Sequence, residues 1–178
     1  RGVRAFVTER IEDSWSADYP DAVFLKVGNT VKALQQLARA HREEFSIPVI
    51  GITGSNGKTT VKEWLYQILS DEYRITRSPR SYNSQIGVPL SVWSLSSEAQ
   101  LAIFEAGISQ PGEMETLADI IQPDIAIITN AGTAHQENFC CTKDICNEKN
   151  VFPVLELKWT TGINNNDMSN FKINVSEG

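Results

Sequence analysis

Long apolar runs are missing from this sequence. No stretch approaches the roughly 20 residues that a membrane-spanning helix requires, so membrane insertion is not expected. A basic excess is missing too: 16 Lys and Arg stand against 22 Asp and Glu, a formal net charge of -6. A nucleic-acid partner, which would need a basic face, is therefore not expected. Cysteine is scarce, with Cys140, Cys141 and Cys146 odd in number and without C-x-x-C spacing. Cys140 and Cys141 are neighbours and poorly placed to bridge each other, and a metal site would need more ligands nearby. Reduced thiols in a cytoplasmic protein are the expectation. An initiator Met and a signal-peptide layout are also absent from the opening Arg1-Gly2-Val3-Arg4-Ala5-Phe6, and the chain is read as a piece of something longer. The remainder is ordinary for a globular protein, at 41% hydrophobic and 21% charged. Its 178 residues suffice for one full core, or for one domain and part of another.

What is present is concentrated in Gly51-Ile52-Thr53-Gly54-Ser55-Asn56-Gly57-Lys58-Thr59-Thr60. Apolar Ile47-Pro48-Val49-Ile50 precedes this run, and Val61 to Leu69 follows it with apolar residues at helical spacing. Strand, glycine-rich turn and helix form the setting of a phosphate-binding loop. Glycines let the backbone curl so that several N–H groups face one anion, and the helix N-terminus adds partial positive charge. Lys58 would reach the β- and γ-phosphates and the Thr59 hydroxyl would hold Mg²⁺. The run departs from strict G-x-x-x-x-G-K-[ST], since Ile52 stands where the first glycine belongs. A nucleoside triphosphate is the expected ligand.

Residues 3–8 alternate and predict a short strand, Asp18 to Asp21 a turn, and Ala22 to Val27 a second strand. Asn29 or Thr30 can cap a helix with Val31, Leu34, Leu37, Ala38 and His41 on one face, ending near Phe45. A domain boundary is expected between residues 42 and 48. Strands then alternate with helices: a strand at Val49–Thr53, a helix from Lys58 to about Ser70, and a weaker strand at Arg74–Ser78. After a loop from Pro79 to Gly87, Pro89 suits the first turn of a short helix running to about Ser94. A strand at Leu101–Ala106, a helix at Gly112–Ile121 and a strand at Asp124–Asn130 complete the pattern. Near-continuous apolar strands between helices predict an α/β fold, a mostly parallel sheet covered on both faces. Ligands of such sheets bind beyond the carboxyl ends of the strands, where Thr53, Glu105 and Asn130 fall. Lys62 and Glu63 are expected on a solvated helix face, and His41 in packing.

Four segments in order carry a resemblance: Gly54–Thr60, Tyr82-Asn83-Ser84-Gln85-Ile86-Gly87-Val88-Pro89-Leu90, Glu105-Ala106-Gly107, and Thr129-Asn130-Ala131-Gly132-Thr133-Ala134-His135. Together they resemble the Mur ligases over about residues 46–149, with a weaker likeness over the first 45. The run Glu105 to Glu113, followed by Ala134-His135, is most similar to the members that add D-Ala-D-Ala to UDP-N-acetylmuramoyl-tripeptide. The resemblance implies that residues 1–45 end a small α/β UDP-sugar-binding domain with its connector helix. Residues 46–149 would then be part of an ATP-binding central domain of P-loop type. It also implies a cytoplasmic enzyme, expected to be a monomer, that uses ATP and Mg²⁺ to activate a carboxylate as an acyl phosphate, which an amino group then displaces. Gly54, Ser55, Asn56, Gly57, Lys58, Thr59 and Thr60 would bind the nucleotide, joined by Asn83 and Asn130.

Each further residue has two readings. Glu105 is a ligand to Mg²⁺ or its water, or a strand-end carboxylate capping the next element. His135 is a metal-site residue or a surface histidine. Asn83 bonds a phosphate oxygen or a metal-bound water, or forms a turn. Lys149, fourteen residues after His135, matches a position where several Mur ligases carry a carbamylated, Mg²⁺-binding lysine; otherwise it is a solvated helix lysine. Lys58, Glu105 and His135 form the expected catalytic set. After Lys149 the likeness ends: Val151-Phe152-Pro153 interrupts any helix, and Asn164-Asn165-Asn166-Asp167 reads as polar loop or disordered tail. Residues 150–178 are expected to diverge from the family, and the chain alone is not expected to form an amide bond at a useful rate. A ligase of the folylpolyglutamate synthase kind and an inactive nucleotide-binding module are the competing readings.

Overall fold

The computed structural model describes residues 2–130. His135, Lys149, the three cysteines and the tail from residue 150 lie outside the described residues. Among the described residues two parallel sheets are formed. The smaller pairs β1 (Ala5–Thr8) with β2 (Val23–Lys26) in parallel, Phe6 opposite Phe24. Parallel pairing needs a crossover, and it runs through a single helical turn, α1 (Trp15–Asp18), which the sequence reading missed. Its Trp15 ring lies 5.1 Å from that of Phe24, on which Phe6 also stacks at 5.3 Å.

The chain enters α2 (Thr30–Glu43) through Asn29, whose side-chain oxygen accepts the Lys32 N–H at 2.8 Å. This satisfies one orphan donor of the first turn. Glu9, just past β1, accepts from the Thr30 backbone N–H at 2.8 Å and from its hydroxyl at 2.9 Å. The Thr30 backbone bond, more than the hydroxyl bond, holds the Glu9 carboxyl below the usual carboxylate range.

The larger sheet contains β3 (Val49–Thr53), β4 (Ile75–Arg77), β5 (Leu101–Glu105) and β6 (Ile125–Ile128), all parallel in the order β4-β5-β3-β6. Side-chain alternation divides it into two cores. Val49, Ala102, Phe104 and Ala126 point toward α2, α4 (Gly87–Val92) and α5 (Glu113–Ile121), burying Val88, Val92, Met114, Leu117 and Ile121. Ile50, Ile52, Leu101, Ile103 and Ile127 point the other way, against Val61, Leu65 and Leu69 of α3 (Lys58–Leu69). The expected parallel sheet with helices on both faces is thus observed.

Helix α2, expected as a connector, packs against α4 and α5 and buries Ala38 in the first of these cores. Its Arg42 is buried and donates to the carbonyls of Ile121 (2.9 Å), Gln122 (3.2 Å) and Phe45 (2.6 Å). These bonds close the C-terminus of α5, where Gln122 adopts a left-handed conformation with φ 46°. Burial pulls the guanidinium pKa below its usual value, and the Asp124 charge opposes that shift. Arg42→Met leaves these carbonyls without their donor, and should lower unfolding free energy by about 3 kcal/mol. Urea melts of both proteins, with equal slopes, would check this; an unchanged midpoint would contradict it.

Candidate functional site

The loop between β3 and α3 is shaped by two glycines in conformations that L side chains rarely adopt. Gly54 has φ 141° and Gly57 φ 81°, the latter standing at the N-cap of α3. A Cβ at Gly54 would collide with Thr129 Oγ1 and sit 3.1 Å from the backbone nitrogens of Thr129 and Asn130. The loop therefore approaches the end of β6 as closely as only a glycine allows. Thr129 N–H donates to the Thr53 carbonyl at 2.9 Å, and the Thr129 hydroxyl donates to the Asn56 carbonyl. Ser55 N–H donates to the Asn130 carbonyl at 3.1 Å, and Asn56 N–H to Asn130 Oδ1 at 2.9 Å. Asn130 thus braces the loop from the neighbouring strand end.

Lys58 opens α3 and turns back to donate to the Gly54 carbonyl at 2.7 Å. Burial lowers its pKa from the ordinary lysine value, and the nearby Glu105 charge pulls the other way. One residue on, the Thr59 hydroxyl donates to Glu105 Oε2 at 3.1 Å. Strand parity explains the meeting. Leu101, Ile103 and Glu105 share the sheet face that α3 covers, so the carboxylate that ends β5 comes out beneath the first turn of α3. Glu105 is 0% exposed, and its backbone N–H donates to Ser78 Oγ at 3.0 Å.

The sequence reading placed Lys62 on a solvated face, and the structure corrects this. Lys62 is 0% exposed, with Nζ 2.9 Å from Glu105 Oε1 and 2.9 Å from the Ser78 carbonyl, while also donating to the Arg80 carbonyl. The ammonium meets Oε1 off the direction of a hydrogen bond, so that contact is an ion pair by charge and distance. Spacing gave the available signal: Lys62 lies three residues after Thr59 and four after Lys58, within the stripe of Val61, Leu65 and Leu69. Glu63 is half-buried, paired with Arg77 and 3.3 Å from Lys62. Arg77 in turn lies 3.5 Å over the Tyr66 ring.

Two more of the expected segments meet here. Gly107 N–H donates to the Asn83 carbonyl at 2.7 Å, and a Cβ at Gly107 would lie 2.9 Å from Asn83 Oδ1. Gln85 accepts from Gln35 of α2 at 2.9 Å and donates to the Glu113 carbonyl of α5 at 3.3 Å, anchoring the Asn83 loop to two helices. Lys58, Thr59, Glu105, Asn83 and Asn130 therefore gather at the carboxyl edge of the sheet; His135 lies outside the described residues. His41 packs as expected, against Trp93 and Phe45, 3.2 Å from the Leu95 carbonyl. Among the described residues no helix is long and apolar enough to cross a membrane.

The donor set suits a hard cation. A hydroxyl and a carboxylate converge, and among the described residues there is no cluster of three acidic, His or Cys side chains. Mg²⁺ is commonly held this way, by one or two protein oxygens with water and phosphate completing the octahedron. Two buried oxygens, Thr53 Oγ1 and Glu105 Oε1, have no aligned hydrogen bond among the described residues.

The family model of the Mur ligase middle domain matches residues 52–177. A UDP-N-acetylmuramoyl-tripeptide–D-alanyl-D-alanine ligase of Borreliella burgdorferi is 42% identical over 152 residues, covering 83% of this chain and 33% of that protein. A MurF crystal structure from Acinetobacter baumannii superposes with a TM-score of 0.74 at 37% identity, over 82% of this chain and 31% of that one. The MurF ligase of Thermotoga maritima, crystallised in complex with ADP, gives a TM-score of 0.71 at 29% identity, over 84% and 40%. The chain spans about a third of the length of the curated relatives it matches.

Proposed function

The chain belongs to the Mur ligase family, and from that premise we propose that it carries the ATP-binding part of an amide ligase. The reaction proposed is addition of D-Ala-D-Ala to UDP-N-acetylmuramoyl-tripeptide in peptidoglycan precursor synthesis. The Thr59–Glu105 contact beneath the phosphate loop carries the reading, because it places a hydroxyl and a carboxylate together where a nucleotide-bound cation would lie. Resemblance to the Borreliella burgdorferi ligase favours this over a folylpolyglutamate synthase-like substrate.

ATP, when bound, supplies the phosphoryl group that activates the substrate carboxylate. Phosphoryl transfer asks little covalent chemistry of a protein and much positioning and charge compensation. The loop N–H groups and the α3 N-terminus would cradle the phosphates. Lys58 would leave the Gly54 carbonyl for the β/γ-phosphate oxygens, and Thr59 and Glu105 would hold Mg²⁺. Asn83, seated against Gly107, would offer its amide to a phosphate oxygen or a metal-bound water. We propose His135 and carbamylated Lys149 as further metal-site residues. A cytoplasmic location follows from the need for ATP. Calorimetry of the chain with ATP tests the reading: binding should tighten on adding Mg²⁺, and absence of binding in either condition would refute it.

A further inference from the structure

We propose that Lys62 is a positioning residue that sets the geometry of the metal site through Glu105, and so governs Mg²⁺-dependent but not metal-independent nucleotide binding. The inference rests on the nucleotide-binding reading above. A lysine with 0% exposure is rare, because its ammonium must find partners enough to replace water. Lys62 finds three of them, in two other segments. It pairs with Glu105 Oε1 at 2.9 Å at the end of β5, and donates to the carbonyls of Ser78 and Arg80 in the turn after β4. A fourth acceptor, Glu63, stands 3.3 Å away in its own helix.

Two consequences follow for the site. With Oε1 drawn to the ammonium, Oε2 is the oxygen presented to Thr59, so Glu105 offers a cation one oxygen in a fixed direction. The turn that Lys62 grips contains Arg80 in a left-handed conformation with φ 50°, a strained state for a non-glycine residue. Three residues later comes Asn83, which packs over Gly107 just beyond Glu105. One buried cation thus links the first turns of α3, the metal-facing carboxylate and the Asn83 loop. Lys58, Gly54 and the loop N–H groups make no contact with it among the described bonds, so phosphate recognition without metal is left to them, and Asn83 serves the metal-bound water.

The test compares ATP affinity of the 178-residue chain with and without Mg²⁺, by calorimetry, for wild type, Lys62→Met, Glu105→Gln and the double variant. Lys62→Met should reduce the Mg²⁺-dependent gain about 10- to 100-fold and leave metal-free affinity within about twofold, as for residues that orient a ligand. The double variant should fall no further than Glu105→Gln alone, because Lys62 acts through that carboxylate. Equal losses with and without metal, or additive losses in the double variant, would overturn the proposal. Lys62→Met also strips two carbonyls of their donor and can fail to fold. The wild-type protein then decides, through the side-chain ¹⁵Nζ resonances of Lys58 and Lys62. The Lys58 signal should move on adding ATP alone, and the Lys62 signal only when Mg²⁺ follows. A Lys62 signal that ignores Mg²⁺ while Lys58 responds to ATP defeats this inference alone. A Lys58 signal that ignores ATP defeats the nucleotide reading itself.

Discussion

Lys58→Ala is expected to weaken ATP binding by roughly a hundredfold, or about 3 kcal/mol, as when one partner of a largely desolvated charge pair is removed. The side chain is already at the loop, 2.7 Å from the Gly54 carbonyl, so reaching a phosphate oxygen exchanges a neutral acceptor for a charged one. Folding should not suffer in parallel. Burial lowers the Lys58 pKa, which means that the unfolded chain binds this proton more tightly than the folded one. The charged amine therefore detracts from stability below the folded pKa, and the penalty disappears as pH rises to the unfolded value of about 10.4. ATP affinity follows the opposite course, declining as pH rises through the lowered pKa and the ammonium is lost. The alanine variant should lack that alkaline limb. Calorimetry across the pH range checks both statements, and equal affinity in the two proteins would remove the loop from the binding site.

Gly54→Ala should do wider damage, at about 3 kcal/mol of stability together with most of the nucleotide affinity. Its φ of 141° is strained for alanine, and the added methyl falls on Thr129 Oγ1. Relief requires the loop to leave the end of β6, which breaks the bonds from Thr129 to the Asn56 carbonyl and from Ser55 and Asn56 to Asn130. Adding Thr129→Ala removes the hydroxyl but not the two backbone nitrogens at 3.1 Å, so recovery should be partial. Urea melts and calorimetry on the single and double variants would show this ordering. An alanine variant with wild-type stability and affinity would mean that close approach at Gly54 is dispensable.

Local pattern revealed much of this architecture. Apolar runs with polar ends marked β3, β5 and β6 to within a residue or two, and the Gly-Lys-Thr run marked the start of α3. Parity along β5 sets Glu105 with Leu101 and Ile103, but Ala102 and Phe104 make the other face equally apolar, so the side that α3 covers came only from the structure. What escaped depended on partners far along the chain. Nothing near Arg42 in sequence announces carbonyls about 80 residues away at the end of α5. Lys62 escaped because its charge suggests solvent: its spacing belongs to the buried stripe, but its partners, Ser78, Arg80 and Glu105, come from the turn after β4 and the end of β5. The α1 turn, four residues long, is too short to show a period and is fixed by Trp15 on Phe24. Asn130 was read as a nucleotide contact, and the bracing bonds that it makes to Ser55 and Asn56 could not be foreseen from spacing.

The central place of β3 in its sheet has a consequence for amide hydrogen exchange. This strand is laddered on both sides, to β5 and to β6, and the glycine loop that opens α3 grows directly from its end. Its amides alternate between the two ladders, Ile50 and Ile52 toward β5 and Gly51 toward β6, and exposing any of them opens the middle of the sheet, at a free energy close to that of global unfolding. A ligand held by the loop is lost in that same opening. Nucleotide at a hundred times its dissociation constant would therefore slow exchange at Ile50 and Ile52 by about 2.7 kcal/mol, a hundredfold. Protection in the floor of the sheet would then measure occupancy of a site that none of those amides touches.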